Sequence, residues 1–191
     1  MRRRIVVSLA AAAAVALSAC STHATATGRE GDIAFAQGMI PHHEQALEMS
    51  ELALVNASSA PVVKLARQIK RAQDPEIILM RQWLRDWGAE DAAHAAVPED
   101  PAAQSTADEH SGDHEMPGMA TNDDMLALAQ SSGADFDRLW LDLMIAHHEG
   151  AVEMAGQVAE TSDDPEVKAL AAAIVQGQVA EIDRMRTLLA P

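Results

Sequence analysis

The sequence has few of the residues that build disulfide frameworks and aromatic cores. Cysteine occurs once, at Cys20, tyrosine is absent, and there are two phenylalanines and three tryptophans. A single thiol excludes an intramolecular disulfide and a metal site made of cysteines. Any soft metal ligand must therefore come from the 10 methionines or the 8 histidines. The scarcity of aromatics beside abundant Ala, Leu and Met favours close-packed helices over a β-sandwich.

Positive charge is also scarce. The chain has 14 Lys and Arg against 29 Asp and Glu, a formal charge of −15. Three of those arginines and none of the acids lie in residues 1–19, so a chain without that segment has a formal charge of −18. Such a surface repels nucleic acid and concentrates cations, and we expect no nucleic-acid partner. The sequence also lacks a nucleophile elbow, a phosphate-binding loop and a dinucleotide fingerprint, which excludes the enzymes built on those motifs.

Residues 1–19 have the pattern of a lipoprotein signal peptide. A basic start at 2–4 precedes an apolar run at 5–16 that is short for a membrane span. Leu17-Ser18-Ala19-Cys20 resembles a bacterial lipobox, which implies cleavage before Cys20 and lipidation of its sulfur. Lipid chains would anchor the protein to a membrane outside the cytoplasm without spanning it. The alternative is a secreted protein with one free thiol.

The rest of the chain contains an internal repeat. Met39–Met49 (MIPHHEQALEM) matches Met144–Met154 (MIAHHEGAVEM) at an offset of 105 residues, and the match extends without a gap from 32–84 to 137–189. A repeat of this kind indicates a duplicated unit. Apolar residues recur with helical period in both copies, so each copy predicts a pair of helices. Two such pairs packed face to face form an all-α four-helix bundle.

These patterns divide the chain into segments. We predict a flexible tether at 20–31, and a bundle at 32–190 whose first helix begins after Asp32 as N-cap. Within the bundle, the segments are repeat 1 at 32–88, a disordered linker rich in His and Met at 89–124, and repeat 2 at 125–190.

The duplicated motif supplies the first candidate metal site. On a helix, the histidines and the nearby methionines share one apolar face, so we expect the histidines to point inward. Imidazole suits several transition metals, whereas thioether selects Cu(I). Methionine on an apolar stripe is commonly core filler, but four buried imidazoles need partners. The candidate ligands are His42, His43, His147, His148, Met39, Met49, Met144 and Met154.

Two further sets of residues could contribute. Short, flexible His-rich runs can wrap a metal ion, and methionine is unusual in such linkers. The linker candidates are His110, His114, Met116 and Met119. The second helices carry equivalent polar residues that could support the imidazoles by hydrogen bonds or add carboxylates: Gln73, Gln178, Glu76 and Glu181. A carboxylate-bridged di-iron site would need Glu-x-x-His motifs, and no predicted helix contains one.

Residues 133–138 (GADFDR) followed by 144–151 (MIAHHEGA) resemble a bacterial secreted family known as domain of unknown function 305. The resemblance covers nearly all of 32–190 except the linker. It implies a ferritin-like bundle with one or two His-His helix pairs, and some members are linked to periplasmic copper binding and tolerance. Pro41 and Gln45 depart from Ala146 and Gly150 of the second copy, so we expect the first site to differ in geometry.

The resemblance and the motifs together predict an extracytoplasmic, lipid-anchored protein that binds copper, preferably Cu(I), for buffering or handover. Another transition metal is an alternative ion. Two other functions stay open at this point: a ferritin-like metal oxidase, and a scaffold or interaction module whose histidines bind no metal.

Overall fold

The computed structural model describes residues 23–90 and 116–190. The predicted signal peptide, Cys20, His110 and His114 lie outside this part of the chain. The described residues form five helices and no strand, in agreement with the predicted all-α class. The helices are α1 (His23–Asn56), α2 (Ala60–Asp86), α3 (Asn122–Gln130), α4 (Gly133–Thr161) and α5 (Pro165–Leu189). None of these helices is both long enough and apolar enough to cross a membrane.

The two repeats form two helical hairpins. Helix α1 packs against α2, and α4 packs against α5, with connections of a few residues between the helices of each pair. The hairpins are joined mainly by α1 against α4, which are the helices that carry the His-His motifs. The short α3 lies against α1 and α4. The equivalent faces of the two repeats therefore meet at the centre of the molecule.

Two apolar clusters fill the interior. The Trp140 cluster is centred on Met49, Leu65, Phe136, Trp140 and Met144. The Phe35 cluster is centred on Phe35, Met39, Ile77, Met80 and Ala151. Along α1 the chain passes from the Phe35 cluster to the Trp140 cluster, and along α4 it passes in the opposite order. The His-His motif lies at the change-over on both helices, which places a polar layer between two apolar cores.

The first helix begins earlier than predicted. Helix α1 starts at His23, so Asp32 lies inside it and is not its N-cap, and the part of the predicted tether from residue 23 onward is helical. Arg29 gives a physical reason for this extension: its guanidinium bonds Asp164 at 3.2 Å and lies 4.3 Å from the ring centroid of Trp87. These contacts tie the start of α1 to the start of α5 and the end of α2. Pro41 lies within α1, which continues without a break.

The predicted linker is also shorter on its C-terminal side. Residues 116–121 lie against the bundle, and α3 begins at Asn122, before the predicted start of repeat 2 at 125. Thr121 and Asp124 form a capping box, in which each side chain bonds the backbone N–H of the other residue. This cap starts the helix where charge and the lack of apolar period had predicted disorder.

Candidate metal centre

Four buried histidines form a layer across the middle of the bundle. His42, His43, His147 and His148, called the histidine layer below, are all 0% exposed. The rings of His42 and His147 occupy equivalent positions in the two repeats, and their centroids are 3.8 Å apart with the ring planes tilted by 43°. The prediction that these side chains point inward is confirmed, and the structure adds that His42 and His147 meet between the two repeats.

The two outer histidines each bond a glutamate from the second helix of the same repeat. His43 donates from Nε2 to Glu76 at 2.7 Å, and His148 donates from Nε2 to Glu181 at 2.9 Å. Each carboxylate side chain is 20% exposed, so it joins the buried ring to the edge of the bundle. Position 76 lies one turn beyond position 73, and this register brings the glutamate rather than the glutamine to the imidazole.

The glutamines do not have the predicted role. Both amide atoms of Gln73, and Oε1 of Gln178, are buried without a hydrogen-bond partner among the described residues. The supporting bonds to the outer imidazoles come from Glu76 and Glu181, because a carboxylate makes a stronger, charge-assisted bond to an imidazole N–H.

The central histidines have different partners. His42 donates from Nε2 to the carbonyl oxygen of Pro117 at 3.0 Å. A carbonyl accepts only, so the proton of a neutral His42 is on Nε2 and the lone pair is on Nδ1. In the part of the chain that the structure describes, neither buried ring nitrogen of His147 makes a hydrogen bond of good geometry, although the backbone of His42 lies close enough to raise its pKa.

All four Nδ1 atoms of the histidine layer are buried and have no hydrogen-bond partner within residues 28–90 and 116–190. An unpartnered buried ring nitrogen is costly, because the desolvation of the polar atom is not repaid. In the neutral forms of His42, His43 and His148, the proton engaged at Nε2 leaves a lone pair on Nδ1. A carboxylate bonded to the other nitrogen is the usual support of a metal-binding imidazole.

The interior environment keeps the central imidazoles neutral. Burial is the largest cause that lowers the pKa of His42, to about 4, and nearby His43 and His148 lower it further against the raising effect of the Pro117 carbonyl. Burial, followed by the charges of the other three histidines, holds the pKa of His147 well below its ordinary value, against a smaller raising effect of the His42 backbone. Neutral imidazole is the form that binds a metal ion, so this part of the layer needs no proton loss near pH 7.

The motif methionines flank the layer on both sides. Met39 belongs to the Phe35 cluster, and Met49 and Met144 belong to the Trp140 cluster; all three are fully buried. Met154 is partly buried against the Phe35 cluster. Thioether sulfur is thus present in both apolar clusters that adjoin the histidine layer.

A segment that precedes α3 crosses the same region. Residues 116–120, called the strap below, bond α1 at two places: the Pro117 carbonyl to His42, and the backbone of Ala120 to the side-chain amide of Gln45. Met116 and Met119 are partly buried in the strap. Sequence reasoning missed the role of the Pro117 carbonyl and of Gln45, although Gln45 had been singled out as a departure between the repeats.

Within residues 28–90 and 116–190, no three His, Cys, Asp or Glu side chains converge where they could hold one metal ion. The nitrogen donors of the layer therefore do not by themselves complete a metal centre in this arrangement. Methionine sulfur is the other donor that the surrounding helices and the strap provide.

The comparisons with known proteins agree with this architecture. The family model described as domain of unknown function DUF305 matches residues 32–189. No curated protein matches the chain. Among solved structures, a DUF305 protein from Streptomyces coelicolor is 33% identical, with a TM-score of 0.69 over 83% of this chain and 91% of that one. A DUF305 fragment from Deinococcus radiodurans is 31% identical, with a TM-score of 0.67 over 83% and 95%.

The third similar structure is CopM in its Cu(I)-bound form. It is 31% identical, with a TM-score of 0.61 over 82% of this chain and 94% of that one. CopM structures in Cu(II)-bound and Ag-bound forms match as well. The family model spans most of the chain, and relatives more than 30% identical are covered almost completely, so the chain belongs to the DUF305 family.

Proposed function

We propose that this protein is an extracytoplasmic, lipid-anchored metal-binding protein that buffers copper or hands it over, with Cu(I) as the preferred ion. The observation that carries the proposal is the histidine layer: each of its four Nδ1 atoms is buried without a partner among the described residues. The copper-bound and silver-bound forms of CopM, which has a similar fold, support the choice of a soft monovalent ion.

The donor chemistry also favours Cu(I). Imidazole and thioether are neutral ligands, and thioether prefers soft, reduced copper to harder divalent ions. A monovalent ion places less charge in the interior than a divalent ion, and desolvating charge is the main cost of a buried site. Glu76 and Glu181 supply negative charge at the outer imidazoles, each through a direct hydrogen bond.

Sulfur has to take part in this proposal. No three His, Cys, Asp or Glu side chains converge on one point in the described part of the chain. We therefore assign the ligands as imidazoles of the histidine layer together with sulfur from the flanking methionines Met39, Met49, Met144 and Met154, which lie in or against the adjoining clusters. We propose His110 and His114 as accessory ligands that precede the strap in sequence.

The ferritin-like oxidase gains no support from the described residues. A bridged two-metal centre needs several carboxylates on shared ions. Glu76 and Glu181 instead bond separate histidines, and no group of three suitable ligands forms in the regions described. We therefore propose a binding role rather than catalysis.

The direct test is anaerobic Cu(I) titration of the purified protein against a competing chelator. A His42→Leu, His147→Leu double variant removes the central imidazoles. It should stay folded, because leucine is apolar and similar in size to imidazole; the loss of the bond from His42 to the Pro117 carbonyl should cost about 1–3 kcal/mol. We expect its Cu(I) affinity to fall by at least about tenfold. Unchanged affinity and stoichiometry would exclude the layer as the site, and no binding by the parent protein would leave the scaffold function.

The chain offers a matched control for the sulfur ligands. Met39 and Met144 are equivalent residues of the motif, and Met80 and Met185 are equivalent residues of α2 and α5; all four are fully buried. Leucine substitution of either pair changes core packing by a similar, small amount. Only the Met39→Leu, Met144→Leu variant should lose Cu(I) affinity. Equal losses in both double variants would indicate a packing effect rather than ligation.

Lipid anchoring is tested separately. In the bacterium that makes it, the protein should fractionate with membranes, and a Cys20→Ser variant should not. Mass spectrometry of the N-terminal peptide should show acyl chains on Cys20. An unmodified thiol would exclude the anchor while leaving the metal proposal intact.

A further inference from the structure

We infer that Gln45 and Gly150 are positioning residues that seat the strap across one side of the histidine layer, so that the duplicated bundle holds one composite metal site and not two equivalent ones. The metal half of this inference rests on the proposed function. The seating of the strap can be tested without any metal.

The strap itself is a tight turn. Met119 N–H donates to the carbonyl of Met116 at 3.2 Å, with Pro117 and Gly118 between them. Gly118 has φ +79°, a conformation that L side chains rarely adopt. Proline at the second position and a glycine with positive φ at the third are the features of a type II turn, whose end Cα atoms lie within about 7 Å of each other. The turn therefore holds the backbones of Met116 and Met119 close together.

Gly150 provides the space in which this turn lies. A Cβ atom built on Gly150 would lie 1.8 Å from the Pro117 carbonyl oxygen, and one built on Gly118 would lie 2.3 Å from the Ala146 carbonyl oxygen. Both clashes are with backbone, which cannot move aside as a flexible side chain can. The strap and α4 thus approach so closely that neither position tolerates a larger residue.

Gln45, the equivalent of Gly150 in the first repeat, holds the other end of the strap. Its Nε2 donates to the Ala120 carbonyl at 2.9 Å, and its Oε1 accepts from the Ala120 N–H at 2.8 Å. One side chain thereby satisfies both backbone groups of a residue, as a neighbouring strand would. At this repeat position α4 has Gly150, which leaves room for the strap, whereas α1 has Gln45, which bonds the strap. Because the two equivalent residues differ in this way, the strap can lie in only one orientation on the nearly symmetric bundle.

The seated strap makes the two central histidines unequal. The Pro117 carbonyl bonds His42, whereas no side chain or strap residue within 28–90 and 116–190 bonds either ring nitrogen of His147. The Met116 sulfur lies against α1, 3.7 Å from where a Cβ of Gly38 would be, one turn before His42. The strap thus brings a thioether to the helix that carries His42, while His147 offers the free imidazole. We assign these groups to one composite site.

Seating is measured on the metal-free protein by amide hydrogen exchange. We expect the Ala120 amide to exchange about tenfold faster in Gln45→Ala, which removes its acceptor, and in Gly150→Ala, which displaces the turn. Gln37→Ala is the matched control, because Gln37 also lies on α1 and donates to a backbone carbonyl, that of Ala89, away from the strap. Unchanged exchange at Ala120 in both strap variants would overturn the seating.

The composite site is measured by anaerobic Cu(I) titration and dissociation kinetics on the same full-length variants. We expect both strap variants to bind Cu(I) about tenfold more weakly and release it faster, with Gln37→Ala unchanged, and Gln45→Glu to restore part of the affinity because it keeps the acceptor for Ala120 N–H. Faster Ala120 exchange with unaltered Cu(I) binding would overturn the composite site, as would two equivalents of equal affinity. A parent protein that binds no Cu(I) would refute the proposed function and the composite site together, while the exchange result alone would still decide the seating.

Discussion

His42 and His147 are 105 residues apart in the chain, and their rings pack with centroids 3.8 Å apart at the centre of the bundle. They occupy equivalent positions in the two repeats, so the packing of one repeat against the other places one imidazole against an equivalent imidazole. Two imidazoles in this position cannot both be charged at low cost, since burial and mutual repulsion act in the same direction. The free energy of unfolding of the metal-free protein should therefore depend on the protonation of these two rings.

The metal-free protein should lose stability on acidification before its carboxylates are protonated. The pKa of His42 falls to about 4 when the chain folds, and that of His147 falls well below its ordinary value of 6.5. Between these values the unfolded chain binds protons that the folded chain does not, so the free energy of unfolding decreases as pH falls through this range. His42 alone should contribute a decrease of roughly 2 kcal/mol between pH 8 and pH 5.

Urea unfolding from pH 8 to pH 5 measures this dependence. The His42→Leu, His147→Leu variant should have a much flatter profile over the same range, because both groups that titrate only in the unfolded state are gone. A parent and a variant with the same slope would show that the central histidines are not the source of the acid sensitivity.

A second prediction concerns the turns that join the helices of each hairpin. Ser58 donates to the buried Asp137 carboxylate from its backbone N–H at 3.1 Å and from its hydroxyl at 2.5 Å. Ser58→Ala removes the hydroxyl bond to a buried charge and should lower the free energy of unfolding by about 1.5–3 kcal/mol. Chemical denaturation checks the value. A loss near zero would indicate that water replaces the hydroxyl.

In the equivalent turn of the second hairpin, a substitution should instead increase the free energy of unfolding. Asp32 corresponds to Asp137, and Asp163 corresponds to Ser58, so a carboxylate stands where the other repeat has a donor. Oδ1 of Asp32 is buried without a hydrogen-bond partner in the described residues. Asp163→Ser should raise the stability by about 1 kcal/mol, since a serine placed as Ser58 is in the first hairpin would donate to Oδ1 of Asp32, whose other oxygen lies 3.8 Å from Arg29. A destabilised variant would show that Asp163 has another role in the turn.

The sequence predicted the elements that depend on periodic patterns. Apolar spacing predicted the helices, the repeat predicted that two equivalent helix pairs would pack face to face, and helical phase predicted that the histidines would point inward. Glu76 was correctly placed beside the layer. The role given to Gln73 was wrong, because the residue that reaches an imidazole depends on the rotation of one helix against another, and that rotation follows from packing.

The strap could not be predicted from composition. Residues 116–121 have no apolar period. They bond α1 through backbone groups of Pro117 and Ala120, and backbone groups leave no signal in a sequence because every residue has them. The available indication was the exchange of Gln45 for Gly150 in otherwise matching motifs. Similarly, the early start of α1 depends on Arg29 contacting Asp164, a pair separated by 135 residues, and no local pattern reports such a contact.

Glu76 and Glu181, which bond the histidine layer, should contribute to Cu(I) affinity, whereas the exposed glutamates nearby should not. Glu76→Gln and Glu181→Gln each remove a charged acceptor from a buried imidazole Nε2, and outer partners of this kind typically affect metal affinity by 10- to 100-fold. Glu44→Gln and Glu149→Gln are the controls, because these glutamates follow the His-His pairs in sequence but form exposed ion pairs with arginines on the surface.

Anaerobic Cu(I) titration of the four variants gives the comparison. The control substitutions should leave the affinity unchanged, since exposed ion pairs contribute little. If one composite site binds the ion, Glu76→Gln and Glu181→Gln should change the Cu(I) affinity by different amounts, because the strap makes the two repeats unequal. The strap bonds His42, and the adjacent residue His43 bonds Glu76. Equal losses of Cu(I) affinity in Glu76→Gln and Glu181→Gln would instead favour two equivalent sites. Losses no larger than those of the control variants would show that neither carboxylate supports the proposed metal centre.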